Sequence, residues 1–174
     1  MPAHHIQFFT ATIQKWIPLL NNYGYKQIIV DSMAFLVGKK RCEIFAFVIM
    51  PNHIHVISKI NSKLKRQDVQ RDFLKYTSQQ IRFALQDKQS KLLSEFEVNL
   101  KDRRYQFWQR NPLSVNLFSR EVIEQKLDYI HANPVKGKWN LVEDIVDYKY
   151  SSASFYEEDK LEFAFLKHYM DVFE

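Results

Sequence analysis

Residues Ile6 to Ile13 (IQFFTATI) concentrate β-branched and aromatic types and predict a first strand. From about Tyr25 to Val37, Ile28, Ile29, Met33, Leu36 and Val37 recur near helical spacing, and Gly38 stands where that helix should stop. Lys39-Lys40-Arg41 makes a solvated loop. Glu43 to Met50 (EIFAFVIM) is apolar almost throughout, the pattern of a strand covered on both faces. Pro51-Asn52 marks a turn, and His53 to Lys59 (HIHVISK) reads as the partner strand of a hairpin. Gln67 to Leu85 is helical again: Val69, Phe73, Ile81, Ala84 and Leu85 share one side, Arg71, Lys75, Ser78 and Arg82 the other. Asp87 to Asp102 is charged and poorly periodic and reads as a variable insertion. Tyr105 to Gln109 (YQFWQ) predicts a fourth strand, broken by Asn111-Pro112. Ser119 offers an N-cap, with Glu121 in the first turn of a helix carrying Val122, Ile123, Leu127 and Ile130. That helix should end near Asn133, because Pro134 disfavours helical geometry before it.

The resulting order, β-α-β-β-α-β and then a further helix, predicts an α+β fold. It is a ferredoxin-like (RRM-like) antiparallel sheet with helices on one face, plus an additional C-terminal helix. One domain is expected over residues 1–174, with its core at about 6–156 and residues 157–174 as a tail or docking helix. Leu161, Phe163, Phe165, Leu166, Tyr169 and Met170 supply the tail's apolar side. This fold hosts many functions, so the site must decide among them.

Composition narrows the classes. With 46% hydrophobic and 15% aromatic residues the chain can bury a core, which excludes wholesale disorder. A single cysteine, Cys42, excludes a disulfide framework and a multi-cysteine zinc site, and it fits a reducing cytoplasm. Three glycines argue against a Gly-rich phosphate loop. Met1 to Trp16 lacks a signal-peptide pattern, and no apolar run approaches the roughly 20 residues needed to cross a bilayer. A cytoplasmic protein with no membrane partner is expected. The excess of 25 Lys+Arg over 20 Asp+Glu, net +5, mildly favours a polyanionic partner.

Two segments carry candidate chemistry. In His53-Ile54-His55 the strand alternation sends both imidazoles to one face, where they can reach one metal ion; solvated or hydrogen-bonded histidines are the alternative. In Lys126 to Lys136 (KLDYIHANPVK), Tyr129 and Asn133 lie four apart on one helix face, a phenol beside an amide able to ligate metal. A core aromatic and a helix C-cap would use the same residues. Lys63, Lys65, Arg66, Arg71, Lys75 and Arg82 are candidate phosphate contacts, or simply a solvated face. Arg103, Arg104 and Arg110 flank Tyr105, Phe107 and Trp108, a mixture suited to stacking on unpaired bases, with core packing the competing role for Trp108. His131, beside Tyr129, is either a proton shuttle or a structural histidine. His4-His5 near the terminus is read as incidental.

The run FAFVIMPNHIHVI resembles the histidine-hydrophobic-histidine (HUH) motif of the single-tyrosine transposases. YQFWQR, KLDYIHANPVKGKWNLVE and YKYSSASFY are similar to segments of the REP-associated tyrosine transposase branch of these IS200-like proteins; Lys138-Trp139 departs from its usual shorter step. The resemblance implies a metal-dependent enzyme that cleaves and rejoins single-stranded, hairpin-bearing DNA, such as palindromic repeats, through a 5′-phosphotyrosine. On that reading the last helix is catalytic and Tyr129 is the nucleophile. His53, His55 and Asn133 hold a divalent ion, Mg²⁺ or Mn²⁺, in a monomer or homodimer. Two alternatives stand beside it: a structured nucleic-acid-binding protein that has lost catalysis, and a metal-dependent hydrolase, for which a third strong ligand motif is lacking.

Overall fold

The structure is a computed structural model that describes residues 5–174. Strand β1 (Ile6–Thr12) leads to helix α1 (Tyr23–Gly38), then to the hairpin of β2 (Cys42–Ile49) and β3 (His53–Ile60). Helix α2 (Arg66–Asp87), strand β4 (Leu113–Leu117), helix α3 (Arg120–Ala132) and the short helix α4 (Ala153–Glu158) follow. All pairings are antiparallel, in the order β2-β3-β1-β4. This is the ferredoxin-like arrangement.

Alternation along the strands sorts the residues into two layers. Phe9, Ile44 and Val56 meet Met33 and Leu36 of α1 and Val69 and Phe73 of α2 around a small apolar cavity. The opposite face carries Phe8, Thr10, Thr12, His53 and His55, aligned across β1 and β3. Helix α3 covers part of that face, packing on β2 and β4 through Ile123, Leu127 and Ile130. Its start follows the sequence: the Ser119 hydroxyl accepts from the Val122 amide at 3.2 Å.

Strand β2 is covered on both faces, as its apolar run predicts, although it lies at the sheet edge. The C-terminal segment occupies that edge. Ile49 N–H donates to the Tyr150 carbonyl (2.9 Å), Ser152 N–H to Phe47 O (3.0 Å) and Lys167 N–H to Ile44 O (3.0 Å). An irregularity between Ile44 and Ala46 turns the Phe45 carbonyl toward the Tyr156 hydroxyl, 2.8 Å away. Tyr148 and Tyr150 are buried against this edge.

Two sequence expectations are corrected. Tyr105 to Gln109 is not the fourth strand; it makes only single bridges, Tyr105 with Glu97 and Trp108 with Ile13. Phe107 packs on Phe96 and the Trp108 indole donates to Thr77 Oγ1 at 3.0 Å, so these aromatics fill the core while the alternating LSVNL run pairs with β1. Within Asp87 to Asp102, Phe96 is fully buried. Residues 157–174 do not form a docking helix: beyond the end of α4 they run irregularly to a single turn at Tyr169–Val172. Phe163 and Phe165 rest on Phe47.

Candidate active site

The four residues singled out by the two motifs meet on the α3 side of the sheet. The His53 and His55 rings stand 4.8 Å apart, centroid to centroid, while Ile54 is fully buried on the other face. Tyr129, 47% exposed on α3, sets its ring 5.6 Å from His55 and 6.1 Å from Phe8. Asn133 follows one turn later. Its Nδ2 donates to the Tyr129 carbonyl at 3.2 Å, and its side chain lies close enough to His53 to act on that imidazole through a hydrogen bond.

Each imidazole is oriented through Nδ1. That of His53 is 2.7 Å from Asn52 Oδ1, an acceptor, so Nδ1 carries the proton and Nε2 keeps a free lone pair. Buried Asn52 is itself fixed by donating Nδ2 to the Trp16 carbonyl at 3.3 Å. The turn that offers this carbonyl holds Lys15 and Trp16 at φ of 57° and 54°, the left-handed region that L side chains avoid. His55 Nδ1 lies 2.7 Å from Thr10 Oγ1, its cross-strand partner.

Burial lowers the His53 pKa below its usual value, with the Asn133 hydrogen bond opposing and the Lys138 charge adding to the shift. His55 is pushed down to about 3, by burial first and then by His53 and Lys126. Both rings are therefore neutral near pH 7, the form that donates to a cation. Among the described residues no three His, Cys, Asp or Glu side chains gather as a cation site. The two imidazoles and the Asn133 amide oxygen make up the donor set present.

Several residues here were not singled out by the sequence motifs. Thr10 and Asn52 orient the imidazoles, Trp139 sits 6.2 Å from His53, and Lys126 holds its ammonium 4.9 Å from the Phe8 ring and 5.5 Å from Tyr129. Lys126 stands one turn before Tyr129, so helical spacing alone could have found it. Thr10 depends on strand register, which no local pattern encodes.

His131 stands apart from this cluster. Two positions on from Tyr129, it turns to the opposite side of α3, is buried, and lies 2.7 Å from Ser152 Oγ. Burial alone lowers its pKa to about 4. It is a structural residue, not a proton shuttle at the phenol. His4 lies outside the described residues, and His5 packs edge-on against Phe118, not against the paired histidines.

Of the basic candidates, Arg66, Arg71, Lys75, Arg82, Arg103, Arg104 and Arg110 line one groove of about 1030 Å³ between α2 and the 102–114 segment. Lys63 and Lys65 precede α2 outside it. Arg71, Arg103 and Arg104 are paired with carboxylates; Arg66, Lys75, Arg82 and Arg110 have none among the described residues. Phe107 and Trp108 are buried, leaving half-buried Tyr105 as the aromatic of that trio with an open edge. No helix among the described residues is long and apolar enough to cross a membrane.

Comparison with known proteins agrees with this picture. The sequence model of IS200-like transposases matches residues 5–133, from β1 through Asn133. No curated protein matches the chain. Among solved structures, a REP-associated tyrosine transposase bound to a REP hairpin aligns with a TM-score of 0.62 over 86% of this chain and 77% of that one, at 21% identity. A Deinococcus radiodurans protein described as a candidate transposase aligns at 0.49 over 74% and 90%, with 11% identity. The first of these likenesses supports the fold, and the family match establishes kinship: the chain belongs to the IS200-like transposases, a family of DNA-cleaving enzymes.

Proposed function

We propose that this transposase cleaves and rejoins single-stranded, hairpin-bearing DNA through a 5′-phosphotyrosine at Tyr129, as in the REP-associated tyrosine branch. The observation that carries the reading is the contact of Tyr129 with His55 within one chain, beside His53 and Asn133. The Tyr129 hydroxyl attacks phosphorus, the Oη–P bond forms and the P–O3′ bond breaks. The phenol loses its proton and the departing 3′-oxygen gains one. The covalent product retains the bond energy, so rejoining needs no ATP. His53 and His55, through Nε2, and Asn133 Oδ1 are the ligands proposed for a divalent cation, and this mixed nitrogen-oxygen set suits Mg²⁺ or Mn²⁺. Such an ion supplies Lewis-acid stabilisation of charge on the phosphate oxygens. The nucleophile and the imidazoles come from one chain, which supports a monomer as the working unit, with a homodimer the alternative.

DNA is held, on this reading, by the basic groove along α2, with Lys63 and Lys65 at its approach. Residues 6–156 serve as one catalytic domain, and residues 157–174 hold the edge of β2. The test is incubation of the protein with a single-stranded hairpin bearing an unpaired flank and Mn²⁺, followed by denaturing electrophoresis. A metal-dependent covalent protein–DNA adduct is expected, abolished in Tyr129→Phe while hairpin binding survives. Binding without any adduct in the wild type would favour a protein that only recognises structured DNA.

A further inference from the structure

The site forms a row with a direction. From Tyr129 it runs to His55, His53 and Trp139, with successive ring centroids 5.6, 4.8 and 6.2 Å apart, and Phe8 packs against both Tyr129 (6.1 Å) and His55 (5.1 Å). Trp139 is half-buried, packed against the core on one side and open on the other. Its loop is fixed: Gly137 takes φ +57°, Trp139 N–H donates to Lys136 O at 3.2 Å, and Leu141 N–H to Pro134 O at 2.7 Å. The exposed Lys138 ammonium lies 5.0 Å from the indole centroid and has no carboxylate partner among the described residues. An indole with an unpaired ammonium beside it offers what a single nucleotide needs, an aromatic surface for the base and a cation for its phosphate.

In-line displacement fixes which nucleotide this is. The attacking and leaving oxygens stand on opposite sides of phosphorus. With Tyr129 as nucleophile at one end of the row and the phosphate held beside the histidines, the strand bearing the departing 3′-oxygen continues away from Tyr129, toward Trp139. We infer that Trp139 and Lys138 form a seat for the unpaired nucleotide immediately 5′ of the scissile phosphate. The base stacks on the indole, displacing the ammonium toward the phosphate. This gives the bound single strand a polarity, 5′ at the Trp139 end and 3′ at the Tyr129 end. The inference rests on Tyr129 being the nucleophile, and its test separates the two claims.

Binding is measured by fluorescence anisotropy with Tyr129→Phe protein and a hairpin whose unpaired flank carries one abasic site, moved position by position. One position is expected to weaken binding about 5- to 150-fold, the range for loss of one base–aromatic stack. Adding Trp139→Ala should weaken intact DNA by a similar factor and erase the response at that position only. Trp139→Phe should retain most of both, which guards against a folding defect, as does an unchanged melting temperature. In the wild type with Mn²⁺, sequencing the released 3′ end should place the cut directly after the coupled nucleotide. A Trp139→Ala protein that responds to every abasic position as its parent does overturns the seat, even if the Tyr129 adduct forms. A coupled position on the 3′ side of the cut overturns the polarity. Coupling at Trp139 with no adduct in the wild type refutes the nucleophile and, with it, the direction assigned to the strand.

Discussion

Ser152→Ala removes a single hydroxyl that serves three groups. Ser152 is fully buried where the C-terminal segment crosses the edge of β2. Its Oγ accepts from the Phe47 amide at 3.0 Å and lies 2.7 Å from His131 Nε2 and 3.3 Å from the Phe47 carbonyl. The Phe47 carbonyl keeps a second donor, the Ser152 amide at 3.0 Å, so the variant orphans two groups, the Phe47 N–H and His131 Nε2. An unsatisfied buried polar group costs about 1–3 kcal/mol, so about 4 kcal/mol is expected in total. For a chain of this size that corresponds to a melting temperature lower by roughly 8–16 °C. Because His131 lies on the helix that carries Tyr129, cleavage should fall further than hairpin binding does. The assay is thermal and urea unfolding of Ser152→Ala, His131→Ala and the double variant. Sharing one hydrogen bond, the two changes should be non-additive by about 0.5–3 kcal/mol. A melting temperature within about 2 °C of the wild type, a shift smaller than that expected for about 1 kcal/mol, or strictly additive losses, would refute the reasoning.

Three further outcomes are expected. Asn52→Ala, which frees the His53 ring without removing a proposed ligand, should raise the Mn²⁺ concentration needed for half-maximal adduct formation about 10- to 100-fold; an unchanged metal requirement contradicts that orienting role. Lys75→Ala and Arg110→Ala should each flatten the plot of log affinity for a single strand against log salt by about 0.7, with unchanged slopes arguing against the groove. Burial pushes the Cys42 thiol up to about 12, so almost no thiolate exists at pH 8. Native protein should therefore resist a thiol-specific reagent and react only when urea unfolds it; rapid native labelling would show the side chain to be accessible.

The parts of this molecule that were legible in the sequence are those set by local periodicity. Alternation put His53 and His55 on one face, and helical spacing put Tyr129 and Asn133 on another, without knowledge of the sheet. What joins the two pairs is long-range packing, which no single segment encodes. The misplaced fourth strand shows why: YQFWQ has the stronger β composition, yet Phe107 and Trp108 are held by Phe96 and Thr77, while the weaker LSVNL run takes the edge beside β1 with Leu113 and Val115 exposed and only Leu117 buried. Phe96 is the fully buried anchor of the 91–96 turn, with Leu92 and Leu93 half-buried beside it, too short a run for a period to announce it. The tail has helical-looking apolar content, but the edge of β2 offers unpaired backbone groups, and an extended chain can satisfy them where a helix cannot. The partners of the imidazoles, Thr10 and Asn52, follow from register and from a strained turn, both invisible to composition.

The central claim, that Tyr129 attacks the DNA strand with the two histidines at its side, is tested most directly by locating the covalent bond. Wild-type protein is incubated with the flanked hairpin and Mn²⁺, digested with protease and nuclease, and the modified peptide is sequenced by mass spectrometry. The account predicts one nucleotide joined through its 5′-phosphate to Tyr129, lost with a metal chelator and lost in His53→Ala. Attachment at any other tyrosine, a 3′-phosphate linkage, or an adduct that forms equally well with the chelator present would contradict it.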